Sequence, residues 1–402
     1  MLGHRTAPGY DGEHTRSDPK VPNMPPDIRA EWDLDPDFLT VNHGSFGATP
    51  RSVLADQRAW QDRMERQPSR FMKTIQPGAI RDAADSLGSF LNANGRDLVF
   101  VENATSGCNA VLRNFLLRSD DAVLVLDHVY GAVQNTVRFV ADRVGATITQ
   151  AVVPFPDPTE ESLVAAVTAA ITPKTRLAVI DHITSASAIV LPVQRIVAAC
   201  HAVGVQVLID GAHAPGQIEL DLTAIGADWY VGNCHKWLCA PKGCAFLYAA
   251  PERQAGLHPG TISHGYEQGF LAEFDWAGTT DPSRFLAVTA AIDFHRRLGG
   301  PALMARNRAL AAEGGALIAR RLNTNVGTRG AVAGAMATIR LPIADPSPDH
   351  ALAIRARLLA AGTDAPVHAL DGALWLRISA FAYNELADYA RLADLVADVL
   401  RG

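Results

Sequence analysis

Short apolar runs recur along the first 250 positions, each closed by turn-forming or polar residues and separated from the next by a segment of helical period. LVFVE ending at Glu102, AVLVL at 122–126, LAVIDHITS at 177–185, the run 205–209 before Asp210 and the aromatic run before His235 are apolar on both phases of the strand repeat. Strands of that kind are buried on both faces, which predicts a mostly parallel sheet covered by helices. Between them, helical periodicity covers 51–91, with breaks expected near Gln67-Pro68-Ser69 and Gln76-Pro77-Gly78. It returns at 160–170 and from Pro192 to a stop at Gly204. GCAFLY, just past Lys236, reads as another strand, and FLTV at 38–41 as a short one. After helices at 282–298 and 301–322, the pattern changes to strand (ATIRL), helix (350–361), strand (LWLRIS) and helix (384–400), a compact α+β unit. The expected organisation is an N-terminal arm over 1–28, disordered or draped, a large domain over 29–285 and a small C-terminal domain over 286–402.

Composition narrows this little. With 402 residues the chain exceeds what one core usually supports. It is 48% apolar and 19% charged, with a net charge of −6 and no basic stripe, so neither nucleic acid nor an anionic membrane surface is an expected partner. No apolar run approaches the roughly 18 residues that span a bilayer, and the expected location is the cytoplasm. Five cysteines without a C-x-x-C pair read as packing thiols, and no metal is expected.

The strand ends carry the chemistry, because ligands of parallel sheets bind at the carboxyl ends of the strands. Asp210 ends one run, and the pair His235-Lys236 follows another. A lysine amine can condense with the aldehyde of pyridoxal 5'-phosphate (PLP), while a carboxylate beside the pyridine nitrogen keeps it protonated and makes the ring an electron sink. Taken singly, Asp210 reads equally as a helix cap and Lys236 as a surface lysine. Thr105 and Ser106 open a helix after the run that ends at Glu102, where free N–H groups and the helix dipole favour a phosphate; the same hydroxyls could simply cap that helix. Tyr130 follows the next run and could stack on a planar ring. Asn42 and His43 lie in a small, polar loop that could form a substrate pocket.

The motifs NHGSFGATP, ENATSG, DHVYGAV, DGAHAPG…DWYVGNCHKWL, DWAGTTD and LWLRISAFAYN resemble, in order and spacing from about residue 40 onward, the fold-type I PLP enzymes of the aminotransferase class V group, in particular the isopenicillin N epimerase-like branch. The resemblance implies an α/β large domain with a mostly parallel, seven-stranded-type sheet and a smaller α+β domain. It implies that Lys236 holds the cofactor and moves the Cα proton, that Asp210 pairs with the ring nitrogen, and that His213 and Ser185 lie near the ring oxygen. Thr105, Ser106, Asn233 and His235 would bind the phosphate. Thr279 or Thr280 would reach it from a second subunit, giving a homodimer with active sites at the interface. Arg377, with Asn42 and His43 nearby, would grip the carboxylate of a small amino acid substrate. The substrate side chain would be read by loop residues such as His43, Arg70, Phe71, His264, Tyr266 and Trp276. A cysteine desulfurase would carry a reactive cysteine just ahead of the arginine, but VHALDGALW holds none. The favoured reaction is β-elimination from a cysteine conjugate, a carbon–sulfur lyase, with amino acid epimerisation as the alternative; transamination and decarboxylation stay open.

Overall fold

The computed structural model describes residues 24–401 except Pro26, so most of the arm expected over 1–28 lies outside the described residues. Its end is a 3-10 turn, Ile28–Glu31, followed by Trp32, which is buried edge-on against Phe294, Phe381 and Tyr383. Seven strands form the large sheet: β1 Leu98–Val101, β2 Ala122–Leu126, β3 Thr147–Ala151, β4 Thr175–Asp181, β5 Gln206–Asp210, β6 Trp229–Asn233 and β7 Ala245–Ala249. Their order is β1-β7-β6-β5-β4-β2-β3, parallel except that β7 runs against both neighbours. The mostly parallel sheet expected from the apolar runs is therefore present.

Alternation along these strands feeds two cores. Leu126, Ile180, Ile209 and Tyr230 face one layer of helices, while Val125, Val179, Leu208 and Val231 face the other. Both faces being buried explains why the strands read as continuous apolar runs. The second phase also carries Asp181, Asp210 and Asn233, the last residues of three adjacent parallel strands, so their side chains leave the sheet on one face at its carboxyl edge. Helix Ala104–Asn114 packs on that face through Ala104, Cys108 and Val111.

A third core joins Leu39 and Val41 to the chain's last third, around β8 Met336–Arg340, β9 Val367–Leu370 and β10 Ala373–Ser379, an antiparallel sheet ordered β8-β10-β9. Helix Pro301–Arg321 serves two cores: Leu303 packs into the large one and Leu310 to Ala319 into the small one. Two local expectations need correction. FLTV forms only a single bridge, Leu39 to Thr363. The break expected near Pro77 does not occur, because a π-turn, Phe71–Ile75, runs directly into helix Gln76–Phe90 with Pro77 in its first turn, where a missing N–H costs nothing.

Candidate active site

A cavity of about 480 Å³ opens at the carboxyl edge of β4, β5 and β6. Lys236, Asp210, His213, Asn233, His235, Thr105, Ser106, Tyr130 and Ser185 all line it, so nine of the residues singled out in the sequence converge. Asn103, Asp181, Ser45 and Phe46 complete much of the wall and were not singled out.

The helix N-terminus is built so that its hydroxyls stay free. Asn103 caps helix Ala104–Asn114 by accepting the Ser106 N–H at 2.9 Å, and Asn233 Oδ1 accepts the Ala104 N–H at 2.9 Å. Capping by Thr105 or Ser106 themselves is thereby excluded. Among the described residues neither of their hydroxyls has a hydrogen-bond partner, and both face the cavity beside the positive end of the helix dipole. That is a seat for a dianion. Asn233 acts by holding the helix start to β6. His235 donates Nδ1–H to the Cys244 carbonyl at 2.9 Å, since a carbonyl can only accept, and this leaves Nε2 available. Burial pulls its proton affinity down to about 4.

Around Lys236 the surroundings loosen the hold on its proton. Its Nζ lies 3.2 Å from His213 Nε2. Burial, and then the charge of Arg377, bring its pKa from 10.5 to about 8, with Asp210 opposing. About one lysine in ten is therefore neutral at pH 7, against fewer than one in a thousand for an ordinary lysine, which supplies a nucleophilic amine. His213 is buried and held neutral by burial and by Lys236 and Arg377. The Trp237 indole N–H points at its Nδ1 at 3.5 Å, which favours the tautomer with hydrogen on Nε2, facing the cavity. Asp210 is also buried: burial raises its pKa, while the Ala212 N–H at 3.0 Å and Lys236 oppose the rise. A cation brought against Asp210 would add to those two and keep it ionised.

The lysine backbone is fixed from below. His43 is buried, its ring stacked on Phe381 at 3.7 Å and 4°. It donates Nε2–H to the Lys236 carbonyl at 3.1 Å, so its Nδ1 accepts the Tyr383 hydroxyl at 2.8 Å. His43 does not line the cavity, contrary to its expected place against substrate; its partners lie some 200 and 340 positions away, and local sequence carries no trace of them. Gly47 sits against the same segment with φ of +68°, and a Cβ there would lie 2.6 Å from the Lys236 carbonyl oxygen and closer still to that of His235.

Arg377 is 2% exposed. Its Nη1 donates to the Ser185 carbonyl at 2.6 Å, and its Nη2 donates to Asn42 Oδ1 at 2.9 Å and Ser45 Oγ at 2.8 Å. All of these are neutral partners, its Nε has none, and burial lowers its pKa to about 10. It stands one layer behind Ser45 and Ser185, which form the wall. Asn42 likewise stands behind, donating to Asp364 at 2.7 Å. Tyr130 is 45% exposed on the cavity rim. Thr279 and Thr280 are exposed and lie away from this cavity, Thr280 on a neighbouring one of about 490 Å³ that shares Thr105 and Ser106. Of the expected side-chain readers, Phe71 is buried in the large core, and Arg70, His264, Tyr266 and Trp276 do not line the cavity.

The aminotransferase class-V family profile matches residues 48–389. The chain is 33% identical to the Arabidopsis thaliana protein named probable L-cysteine desulfhydrase, chloroplastic, over 91% of this chain and 84% of that one. It is 31% identical to the isopenicillin N epimerase of Streptomyces clavuligerus, over 93% and 99%. Its fold matches a solved cystine C–S lyase in complex with cysteine persulfide, with a TM-score of 0.76 and 21% identity, over 90% and 97% of the two chains. PLP, the cofactor of this family, fits the residues present: free hydroxyls and a helix N-terminus for the phosphate, a buried carboxylate for the ring nitrogen, and a lysine of lowered pKa for the aldehyde. Residues that converge from six separate stretches of sequence onto one cavity, and a family match that spans most of the chain, establish it as a member of the aminotransferase class-V family and a PLP-dependent enzyme of fold type I.

Proposed function

We propose that this enzyme is a carbon–sulfur lyase that removes the β-sulfur of L-cysteine or a small cysteine conjugate. PLP supplies an electron sink for a carbanion at Cα. Lys236 is the base that takes the Cα proton; its amine is the one flexible base on the cavity wall with a pKa, about 8, close to neutrality. That is the observation that carries the reading, since elimination needs a single base, whereas epimerisation needs a second on the opposite face. His213 offers an Nε2–H donor to the ring oxygen, and Thr105, Ser106 and His235 hold the phosphate. Arg377 binds the substrate carboxylate by exchanging its hydroxyl and amide partners, Ser45 and Asn42, for two carboxylate oxygens, and its unpartnered Nε favours a stronger acceptor.

Transfer of sulfur to a protein thiol is disfavoured: all five cysteines are buried, and burial pushes Cys239 well above the ordinary thiol range and Cys200 up to about 11. A small substrate is favoured because, among the described residues, Lys236 is the one lysine or arginine on the cavity wall and none stands there for a distal carboxylate. Epimerisation remains the second reading, supported by the similarity to isopenicillin N epimerase and by the Tyr130 hydroxyl at the rim. Exposure of Thr279 and Thr280 beside a cavity that shares Thr105 and Ser106 supports a homodimer in which they reach the partner's phosphate seat. Buried, unpaired cysteines support a reducing compartment such as the cytoplasm. The test is release of pyruvate and ammonia from L-cysteine and a panel of S-conjugates. Absence of pyruvate, with solvent deuterium entering Cα and loss of chirality, would establish the epimerase instead.

A further inference from the structure

Asp181 lines the same cavity and takes no part in proton transfer at Cα or in holding the phosphate. It ends β4 directly opposite Asp210, its register partner on β5, and both are at most 4% exposed. Register partners on adjacent parallel strands stand about 4.8 Å apart with side chains on the same face. Asp181 Oδ2 is buried without any hydrogen-bond partner, and the nearby backbone N–H groups of Tyr130 and Asp181 favour the charged form of this carboxyl less than burial and Asp210 disfavour it. An ionised carboxylate with a bare, buried oxygen beside a second carboxylate is the arrangement that proteins avoid.

We propose that Asp181 is a carboxylic acid that shares its Oδ2 proton with Asp210, so that the pair carries one negative charge toward the cofactor ring nitrogen rather than two. Asp181 is then a positioning residue that acts through Asp210. The surroundings agree with a single charge. Among the described residues, Lys236 is the one cation that acts on Asp210, and none acts on Asp181. Cys108, on helix Ala104–Asn114 above the pair, is kept a thiol by burial and then by the negative charge of the pair. Tyr230 on β6 is kept a phenol by burial and Asp210, and its hydroxyl is engaged with His182 Nδ1 at 2.7 Å. Burial first, and then Asp210, raise the proton affinity of Asp181 well above that of an ordinary aspartate. A single negative charge matches the single positive charge of a protonated ring nitrogen.

The inference rests on the PLP reading for its consequence but not for its proton, so the two can fail separately. Infrared spectroscopy of the cofactor-free full chain at neutral pH should show a carboxylic-acid C=O band that is absent from Asp181→Asn. In the wild type, which needs no variant to fold, the band should vanish as pH is raised. The folded chain holds a proton that the unfolded chain has released above the ordinary 3.8, so wild-type stability falls as pH rises toward the folded value, and Asp181→Asn lacks that slope. In the PLP-loaded enzyme, the visible spectrum should change across the interval in which the acid band disappears, and in Asp181→Asn that change should be lost or move by about one pH unit or more. A wild type without the acid band, a band that survives in Asp181→Asn, or a cofactor spectrum that titrates identically in both proteins would overturn the proposal. Failure of PLP to bind at all would sink the cofactor reading and leave the infrared result standing.

Discussion

Replacing His43 with alanine tests whether the lysine is held from below. The substitution removes the ring stacked on Phe381, the N–H bonded to the Lys236 carbonyl at 3.1 Å and the acceptor of the Tyr383 hydroxyl at 2.8 Å. It leaves a carbonyl and a phenol unpaired in a buried site, and a cavity the size of an imidazole. Truncating a buried core ring to alanine costs about 3–5 kcal/mol in all, and the two groups left unpaired, at about 1–3 kcal/mol each, place this substitution at or above the upper end of that range. His43→Phe should recover the stacking part, about 0.5–1.5 kcal/mol, and none of the hydrogen bonding. Thermal unfolding measures the stability loss, and dialysis followed by absorbance measures how fast the cofactor leaves. Both should worsen in His43→Ala, while KM for the amino acid changes by less than about twofold. Acid adds a second signature. Burial lowers the His43 pKa from 6.5 to about 3, so the folded chain resists a proton that the unfolded chain binds. The stability this group contributes is present above pH 6.5 and is lost as pH falls toward 3, by at most about 1.4 kcal/mol per unit. His43→Phe should remove that part of the acid slope. A tenfold rise in KM with unchanged stability and unchanged cofactor retention would refute the reasoning and return His43 to the substrate.

Other outcomes follow from the same geometry. Arg377→Ala should raise KM and lower kcat while the visible cofactor band persists; loss of the band would make the arginine structural. Gly47→Ala should cost about 1–2 kcal/mol for its left-handed backbone alone, and because its Cβ meets the Lys236 carbonyl it should also shift the cofactor spectrum, which Gly145→Ala, at a helix end with only Ser119 nearby, should not.

The strands that became legible from sequence alone were those buried on both faces, because a run such as AVLVL can satisfy nothing but a sheet interior. β3 (TITQA) escaped because only its last residue is buried, and β9 (VHAL) because it is short and half-covered. The site was readable where function and strand end coincide in one stretch, as at Asp210 and at His235-Lys236. It was unreadable where a role depends on distant partners. His43 looked like a pocket residue because nothing near it announces Phe381 or Tyr383. Arg377 looked like a free anchor because Ser45 and Asn42, which occupy it, lie over 330 positions away. Asp181 had a local signal that went unused: it closes its strand as Asp210 closes the next, and two parallel strands ending in carboxylates bring those carboxylates together.

The central claim is that Lys236 holds PLP in this cavity, and borohydride reduction of the purified protein followed by peptide mapping tests it most directly. The wild type should show a visible cofactor band that reduction removes, with the pyridoxyl mass fixed on the peptide containing Lys236, and Lys236→Ala should carry no such adduct. An adduct on another lysine, or a band that survives in Lys236→Ala, would contradict the account.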